Sequence, residues 1–256
     1  MSSSATDAAF GGGVLVVGAT GLVGSEVARL LDARGISTHA FVRDAEAAKR
    51  SLPPGVGLWS GDLAERGSVQ AALRESGAER MFVALRNGPA QAELEANAYR
   101  AAEAAGVRYI VKLSTAPAVV ERDGATSVGG AHMQAERALQ QSGAGWTSLR
   151  ANYFFQNLLR PGLAVGPGFA PALLAAEPAA FRSWFARARV SMVDARDVAA
   201  AAAALLASAD AALAPHLAQR PSLTGPRAVS MADAAAALAA LLDVRCDGDA
   251  RRLPLA

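Results

Sequence analysis

The stretch GVLVVGATGLVG, residues 13–24, decides the fold. Residues 14–17 form a short apolar run that stops at a glycine, which is typical of a buried parallel strand. A helical pattern follows over residues 22–34 and stops at Gly35. A strand, a glycine-rich turn and a helix in this order predict the first unit of an α/β domain.

The same alternation continues along the chain. Apolar periodicity predicts further strands at 37–42, 56–59, 80–85, 107–113 and 146–149, and helices at 45–51, 68–76, 90–105 and 132–142. Strands that alternate with helices at this spacing predict an α/β fold with a doubly wound parallel sheet. Right-handed crossovers then place helices on both of its faces.

The glycines of the opening motif each have a steric role. Gly18 allows a tight turn, Gly21 lets the backbone approach a pyrophosphate, and Gly24 lets helix and strand pack closely. The helix N-terminus offers free N–H groups and a positive dipole end to phosphates. The motif therefore predicts a dinucleotide-binding Rossmann loop, with a flexible glycine loop as the alternative. The predicted cofactor contacts here are Gly18, Thr20, Gly21, Leu22, Val23 and Gly24.

The end of the second predicted strand bears on the choice between NADPH and NADH. An acidic residue at this position would bind the ribose hydroxyl of NADH. The sequence has Arg43 there, and a guanidinium can bind a 2′-phosphate with two hydrogen bonds. This favours NADPH, unless Arg43 is a solvated surface residue and Asp44, one position later, acts as the acid.

Two further loops at strand ends complete the predicted cofactor site. Asp62 and Leu63 follow the third strand, where a carboxylate can accept from the adenine amine; a helix N-cap is an equal alternative. The fourth strand ends in Ala84, Leu85 and Arg86, which we expect to line the cleft.

Composition limits the class of protein. The 256 residues are 52% hydrophobic, enough for one domain with a large core, or for one domain plus a small cap. Net charge is +2 with no basic run, so no nucleic-acid partner is expected. The single Cys246 excludes an internal disulfide and a cysteine-based zinc site, and it suits a cytoplasmic protein; no metal site is predicted. The alanine-rich residues 198–214 are broken by Ser208 and Asp210 and predict a helix of a soluble protein, not a membrane span.

Beyond residue 150 the pattern loosens. Several prolines separate short apolar clusters up to residue 192, and then strands at 190–193 and 222–224 and helices at 196–208 and 231–242 are predicted. We expect a disordered lead-in at residues 1–13 and a dinucleotide-binding domain at 14–150. Residues 151–256 are expected to form a small C-terminal substrate-binding cap, interleaved with the last elements of the first domain.

Taken together, these motifs resemble the NmrA-like branch of the atypical short-chain dehydrogenase/reductase superfamily. The resemblance implies a Rossmann domain, a small substrate domain and NADP(H). Members include quinone, azo-dye and ketone reductases, and redox sensors that bind a dinucleotide without turning it over. Members usually have a longer segment after their Gly-Pro motif, so we expect a reduced substrate domain or a pocket completed by a partner in a homodimer. The segments in which the resemblance is found are residues 18–24, 42–44, 61–63, 101–114, 147–150, 154–157, 193–199 and 224–226, with His132, Glu136, Ser142 and Gly143.

The resemblance also identifies candidate catalytic residues. Ordinary short-chain reductases use a serine at the end of the fifth strand, and Ser114 holds that place. It is expected to contact the cofactor and to hydrogen-bond a substrate carbonyl, or else merely to end the strand. They also use a tyrosine and a lysine on the next helix, but this chain has His132 and Glu136 there, on one helical face. His132 is interpreted as a proton donor whose pKa Glu136 raises, as a cofactor-binding residue beside a substrate that supplies its own proton, or as a structural residue.

A substrate pocket is expected around the ends of the fifth and sixth strands. Thr115 follows Ser114, and Asn152 and Tyr153 are secondary catalytic candidates. Phe154 and Phe155, with Trp184 and Phe185, predict an apolar pocket suited to an aromatic substrate, or else ordinary core packing. The leading hypothesis is an NADPH-dependent reductase of a quinone or an aromatic or polycyclic ketone. The alternative is a non-catalytic NADP(H)-binding redox sensor.

Overall fold

The structure is a computed structural model and describes residues 10–120, 128–158 and 189–242. Its strands are β1 Gly13–Val17, β2 Thr38–Val42, β3 Gly57–Ser60, β4 Ala78–Val83, β5 Tyr109–Thr115, β6 Gly145–Ala151, β7 Arg189–Val190, β8 Ser222–Leu223 and β9 Val229–Ser230. Its helices are α1 Gly24–Asp32, α2 Ala45–Lys49, α3 Arg66–Ser76, α4 Gln91–Ala105, α5 Pro117–Val120, α6 Val128–Gln140, α7 Ala195–Ala207, α8 Asp210–Leu213 and α9 Met231–Leu242. The residues fall into two compact units, one up to Ala151 with Arg196–Ser222 and the other from 152–195 and from Leu223 onward.

The first unit is built on a seven-stranded sheet in the order β3-β2-β1-β4-β5-β6-β8. The pairs from β3 to β6 are all parallel. At the β8 edge, the N–H groups of Ser148 and Arg150 donate to the carbonyls of Gln219 and Pro221, in the same order along both segments. The predicted doubly wound α/β sheet is therefore confirmed.

Apolar side chains of β1, β4 and β5 form the core together with α3 and α4. Leu15, Met81 and Ile110 are fully buried within one cluster, which also includes Leu73 of α3 and Tyr99 of α4. Burying each large apolar side chain contributes about 2 kcal/mol. This cluster fixes α4 against the sheet and so determines where the polar face of α4 lies.

Several helices and strands begin or end at residues other than those predicted from the sequence. β5 extends to Thr115, because its last residues, Ser114 and Thr115, still pair with β6 despite being polar. α6 begins at Val128, whereas the sequence predicted residue 132, since Gly129 and Gly130 have low helix propensity and weaken the local signal. The sequence also missed α5, α8 and β9, which are short elements without a clear period.

The lead-in predicted for residues 1–13 is wrong at its C-terminal end. Phe10 is buried, and the guanidinium of Arg80 lies 3.6 Å from the centre of its ring. Gly13 already pairs with Ala78 as the first residue of β1. Residues 10–13 thus belong to the folded unit, because an aromatic ring and a cation hold the chain there.

The second unit has its own small core. β7 pairs antiparallel with β9, and Phe154 pairs with Val193 through its backbone. Leu158, Met192 and Met231 form a buried cluster, against which Tyr153 packs. Trp184 and Phe185 lie outside the described residues. In the part of the chain that the structure describes, no helix has both the length and the apolar character needed to cross a bilayer.

Candidate active site

The turn between β1 and α1 is closely packed and has no space for side chains at two glycines. Gly18 has a φ of +83°, and a Cβ added to it would lie 1.9 Å from the carbonyl oxygen of Ala84. A Cβ on Gly24 would lie 2.2 Å from the carbonyl oxygen of Gly18. The N–H of Gly21 donates to that same carbonyl at 3.0 Å and closes the turn. The loop therefore has a specific conformation, unlike a flexible linker.

This turn presents unpaired backbone N–H groups. The amides of Leu22, Val23 and Gly24 donate to no acceptor among the described residues, and no side chain caps the helix. Val23 and Gly24 are buried, and a buried N–H without an acceptor is rare in folded proteins. A phosphate at the N-terminus of α1 would satisfy these donors and would also interact with the helix dipole. The residues present thus fit a dinucleotide.

The loop lies where the strand order reverses. β1 pairs with β2 on one side and with β4 on the other, so the connections from their carboxyl ends diverge and leave a crevice. Ala84 and Leu85, directly after β4, are half-buried, whereas Arg86 is exposed. The amide of Ala84 donates to Val17 at 3.1 Å, which brings this predicted lining segment against the glycine turn.

Arg43 follows β2 at the same edge of the sheet. Its side chain is exposed and makes no ion pair with any residue that the structure describes. The neighbouring carboxylate of Asp44 accepts from the amide of Ala47 at 2.9 Å and caps α2. One oxygen of the alternative acid is therefore used locally, while the Arg43 guanidinium is available to a ligand.

Asp62 and Leu63 stabilise the turn before α3. One carboxylate oxygen of Asp62 accepts from Ala64 at 2.9 Å, and the carbonyl of Leu63 accepts from Asn97 at 3.1 Å. Asp62 is not the helix N-cap, since that position is Glu65, which makes no capping bond. Its side chain is exposed, and its second oxygen has no described partner.

His132 and Glu136 are both buried on one face of α6, as their spacing predicts. Their partners differ. Glu136 accepts from Ser148 at 2.8 Å and pairs with Arg150 at 2.8 Å, with Arg220 at 3.3 Å. Burial raises the pKa of Glu136, but the hydrogen bonds from Arg150 and Ser148 outweigh this, and the pKa lies below its ordinary value. Glu136 is thus an ionised carboxylate that is held by residues of β6.

His132 instead contacts residues on β5, on α4 and in the loop after β4. Its Nδ1 lies 3.3 Å from the Lys112 Nζ, and its Nε2 lies 3.2 Å from the Asn87 Oδ1. Burial and the charge of Lys112 lower the pKa of His132 from 6.5 to about 4, although Glu95 and Glu136 act in the opposite direction. Glu136 does act to raise this pKa, as predicted, but burial and Lys112 outweigh its effect, so the imidazole is neutral at neutral pH.

Lys112 belongs to a buried ion pair that the sequence reading missed. Its ammonium lies 2.5 Å from Glu95, and both side chains are fully buried. Glu95 also accepts from Tyr99 at 2.6 Å and from Gln91 at 3.0 Å. The sequence did hold a signal, because Gln91, Glu95 and Tyr99 recur every four residues and so share one face of α4.

Ser114 lies on β5, two residues after Lys112. Its side chain is buried, and its hydroxyl makes no well-formed hydrogen bond with any described residue. It is close enough to Glu136 to help lower the pKa of that carboxyl, although the two atoms do not meet hydrogen-bond geometry. A buried hydroxyl without a partner costs about 1–3 kcal/mol, which a ligand oxygen would recover. Thr115, next in the strand, is half-buried.

The remaining predicted site residues belong to the second unit. The Asn152 side chain accepts from the Tyr153 amide at 2.8 Å. Tyr153 is half-buried, and burial raises its pKa, which makes it a weaker acid. Phe154 is half-buried, and Phe155 is 42% exposed. The exposure of Phe155 excludes ordinary core packing for that ring.

A parallel sheet of this order, with a glycine-rich β1–α1 turn at its switch point, defines a Rossmann-type fold. The chain belongs to the NmrA-like family, whose model matches residues 12–232. The family resemblance seen in the sequence is thereby confirmed.

Two curated relatives are reductases. The NAD(P)H azoreductase of Xenophilus azovorans is 35% identical over 227 residues, which are 89% of this chain and 73% of that protein. The (4-alkanoyl-5-oxo-2,5-dihydrofuran-3-yl)methyl phosphate reductase of Streptomyces griseus is 34% identical over 230 residues, covering 90% and 73%.

Solved structures of similar fold include two that hold a nicotinamide dinucleotide. The NADPH-dependent quinone oxidoreductase of Escherichia coli, complexed with NADPH, matches with a TM-score of 0.75 and 24% identity, over 91% of this chain and 76% of that one. The triphenylmethane reductase of Citrobacter sp., complexed with NADP(H), matches with a TM-score of 0.74 and 22% identity, over 93% and 78%. These likenesses establish the fold.

Proposed function

We propose that the chain is an NADPH-dependent reductase of quinones or of aromatic or polycyclic ketones. The observation that carries the proposal is the β1–α1 turn, where the amides of Leu22, Val23 and Gly24 lack acceptors and no side chain fits at Gly18 or Gly24. The reductase activities named for the azoreductase and phosphate reductase relatives support the class of reaction.

The cofactor would be held by residues at the carboxyl edge of the sheet. The amides of the turn would bind its pyrophosphate, and the free guanidinium of Arg43 would bind the 2′-phosphate of NADPH. Asp62 would accept from the adenine amine through its free carboxylate oxygen. When bound, the nicotinamide supplies the hydride.

The proposed acceptor class rests on the proton donors that the described part of this site offers. The sequence has no tyrosine between Tyr109 and Tyr153, so the helix α6 offers no phenol. The neutral His132 can donate a hydrogen bond, but it holds no readily released proton at neutral pH. The Ser114 hydroxyl makes no well-formed hydrogen bond with the described residues and could donate to a carbonyl oxygen. An acceptor whose product anion is delocalised over an aromatic system suits such a site. A hydrogen bond stabilises that anion during hydride transfer, and the proton can be taken up afterwards.

The test is NADPH consumption by purified protein with a panel of quinones and polycyclic ketones. We expect turnover with quinones, and a fall of at least about tenfold in kcat for Ser114→Ala, the loss typical of a donor aimed at a developing oxyanion. Ser142→Ala is the control, since Ser142 lies just after α6 and its hydroxyl donates to the Leu139 carbonyl at 2.7 Å. Tight NADPH binding with no turnover on any acceptor would instead establish a dinucleotide-binding sensor.

A further inference from the structure

We propose that the buried Glu95–Lys112 pair is a positioning device that fixes His132 as a neutral imidazole with its proton on Nε2. Lys112 and Glu95 would touch neither cofactor nor substrate, and they would act through His132. The tautomer itself is a property of the free protein. Its catalytic use rests on the proposed reductase function.

The first step is the hydrogen-bond capacity of Lys112. Its ammonium has three N–H groups and no acceptor. Its partners are the carboxylate of Glu95 at 2.5 Å, the carbonyl of Leu113 at 3.2 Å and the Nδ1 of His132 at 3.3 Å. Because the ammonium only donates, Nδ1 must present its lone pair, and the ring proton must sit on Nε2.

The other side of the ring is consistent with this assignment. Nε2 lies 3.2 Å from the Oδ1 of Asn87, which accepts. Gln91 does not distinguish between the two His132 tautomers, because its Nε2 lies 3.3 Å from both ring nitrogens. The orientation of the Gln91 amide is fixed by its donation to Glu95 at 3.0 Å. Asn87 is exposed in the loop after β4, so the His132 N–H is directed to the carboxyl edge of the sheet.

The second step concerns the charges around the ring. Lys112 faces it from β5, Glu95 from α4, and Glu136 lies one turn away on α6. Glu136 is held by Ser148 and Arg150 on β6, and among the described residues Lys112 is the cation in contact with the imidazole. A buried ion pair is a weak source of stability compared with apolar residues of similar volume. Its place beneath His132 is therefore better explained by positioning than by stability.

The consequence is a fixed donor for the acceptor. A substrate oxygen that replaces the Asn87 carbonyl would meet the same Nε2–H, already oriented and uncharged. A neutral imidazole can polarise a carbonyl in this way. Ser114, at the end of the same strand as Lys112, would provide the second donor.

The decisive experiment is side-chain 15N NMR of the intact, ligand-free protein across pH. The chain has only three histidines, so His132→Gln assigns the signals. We expect the His132 signals of the Nε2–H tautomer, unchanged from neutral pH down to about pH 5. An Nδ1–H tautomer, or an imidazolium near neutral pH, would overturn the proposal whether or not the protein turns over any acceptor.

Variants then separate Lys112 from the other partners. In Lys112→Met/Glu95→Gln, which leaves no unpaired charge, we expect mixed tautomers and a raised His132 pKa. Tyr99→Phe is the matched control, since it removes a bond to Glu95 and keeps the Lys112 contact, and its tautomer should not change.

Asn87→Ala keeps the experiment decisive if the double variant does not fold, because Asn87 is exposed. We expect Asn87→Ala to retain the Nε2–H tautomer, and a switch to Nδ1–H would show that Asn87 sets it. With a quinone acceptor, the kcat of the double variant should fall on the order of tenfold, and its KM for NADPH should not change. Complete loss of a preorganised donor would lower kcat roughly a hundredfold. Unchanged kcat with a changed tautomer would refute the catalytic role alone.

Discussion

Replacement of Gly24 by alanine tests the cofactor turn most directly. The added Cβ would lie 2.2 Å from the Gly18 carbonyl oxygen and 2.8 Å from its carbon. Both atoms are backbone, so neither can rotate away, and the turn or the first turn of α1 must move. Overpacking of this kind costs about 1–3 kcal/mol. For a chain of this size, each kcal/mol lowers Tm by about 2–4 °C.

The same movement should weaken NADPH binding, because the free amides at residues 22–24 would no longer converge on the phosphate. A loss of about 1.4 kcal/mol in these contacts raises the Kd about tenfold. Gly21→Ala separates binding from folding. Its Cβ would lie 3.2 Å from the Gly18 carbonyl oxygen, a tight contact but a milder one than at Gly24, so its Tm should fall less than that of Gly24→Ala while its methyl group obstructs the phosphate.

Thermal unfolding and fluorescence titration with NADPH measure both effects. Gly67→Ala in α3 is the control, since its Cβ would meet nothing within 4 Å, and helix propensity predicts no loss and a gain of up to about 1 kcal/mol. If Gly24→Ala and Gly21→Ala bound NADPH as tightly as the wild type, the turn would not be the phosphate site, and the proposed function would lose its main support.

Three further predictions concern other parts of the chain. Arg43→Ala should raise the Kd for NADPH by about 10–100-fold and leave that for NADH unchanged, because it removes a charge-assisted phosphate contact; an equal loss for both would refute the 2′-phosphate role. The pKa of His132 is lowered on folding from 6.5 to about 4, so the unfolded chain binds more protons in this window, and stability falls by about 3 kcal/mol as pH drops through it. Urea unfolding across pH should show this slope in the wild type and a flatter one in His132→Gln. Phe10→Ala should lower the free energy of unfolding by about 3 kcal/mol through loss of the ring stacked on Arg80, whereas Gly11→Ala, with open space around it, should not.

The fold could be predicted from the sequence because its signal is local. The apolar run of β1 and the glycines after it lie within residues 13–24, and each glycine has a steric reason that any α/β sheet of this kind imposes. The boundaries that moved involve residues whose propensity opposes their final state. Ser114 and Thr115 remain in β5 only because β6 pairs with them, and the glycines of α6 are helical only in context.

The sequence predicted which polar residues of α6 belong to the site, but it did not predict which residues they contact. Spacing placed His132 and Glu136 on one face, and the face is indeed buried. One helical turn, about 5.4 Å, separates them, and neighbouring strands are about 4.8 Å apart, so two residues of one helix can meet different strands. His132 meets Lys112 of β5, and Glu136 meets Ser148 and Arg150 of β6.

The sign of the His132 pKa shift depends on this division. From the sequence alone, Glu136 is the charged residue nearest to His132 on the same helical face, and it predicts a raised His132 pKa. In the folded chain, Glu136 is neutralised by two arginines, Glu95 is shared with Lys112, and the described charged group in contact with the ring is the Lys112 ammonium. A carboxylate one turn away is therefore a weaker guide to the chemistry of a helical histidine than the residue on the strand beneath it. At this site the strand residue is a lysine, which favours a neutral hydrogen-bond donor over a proton donor.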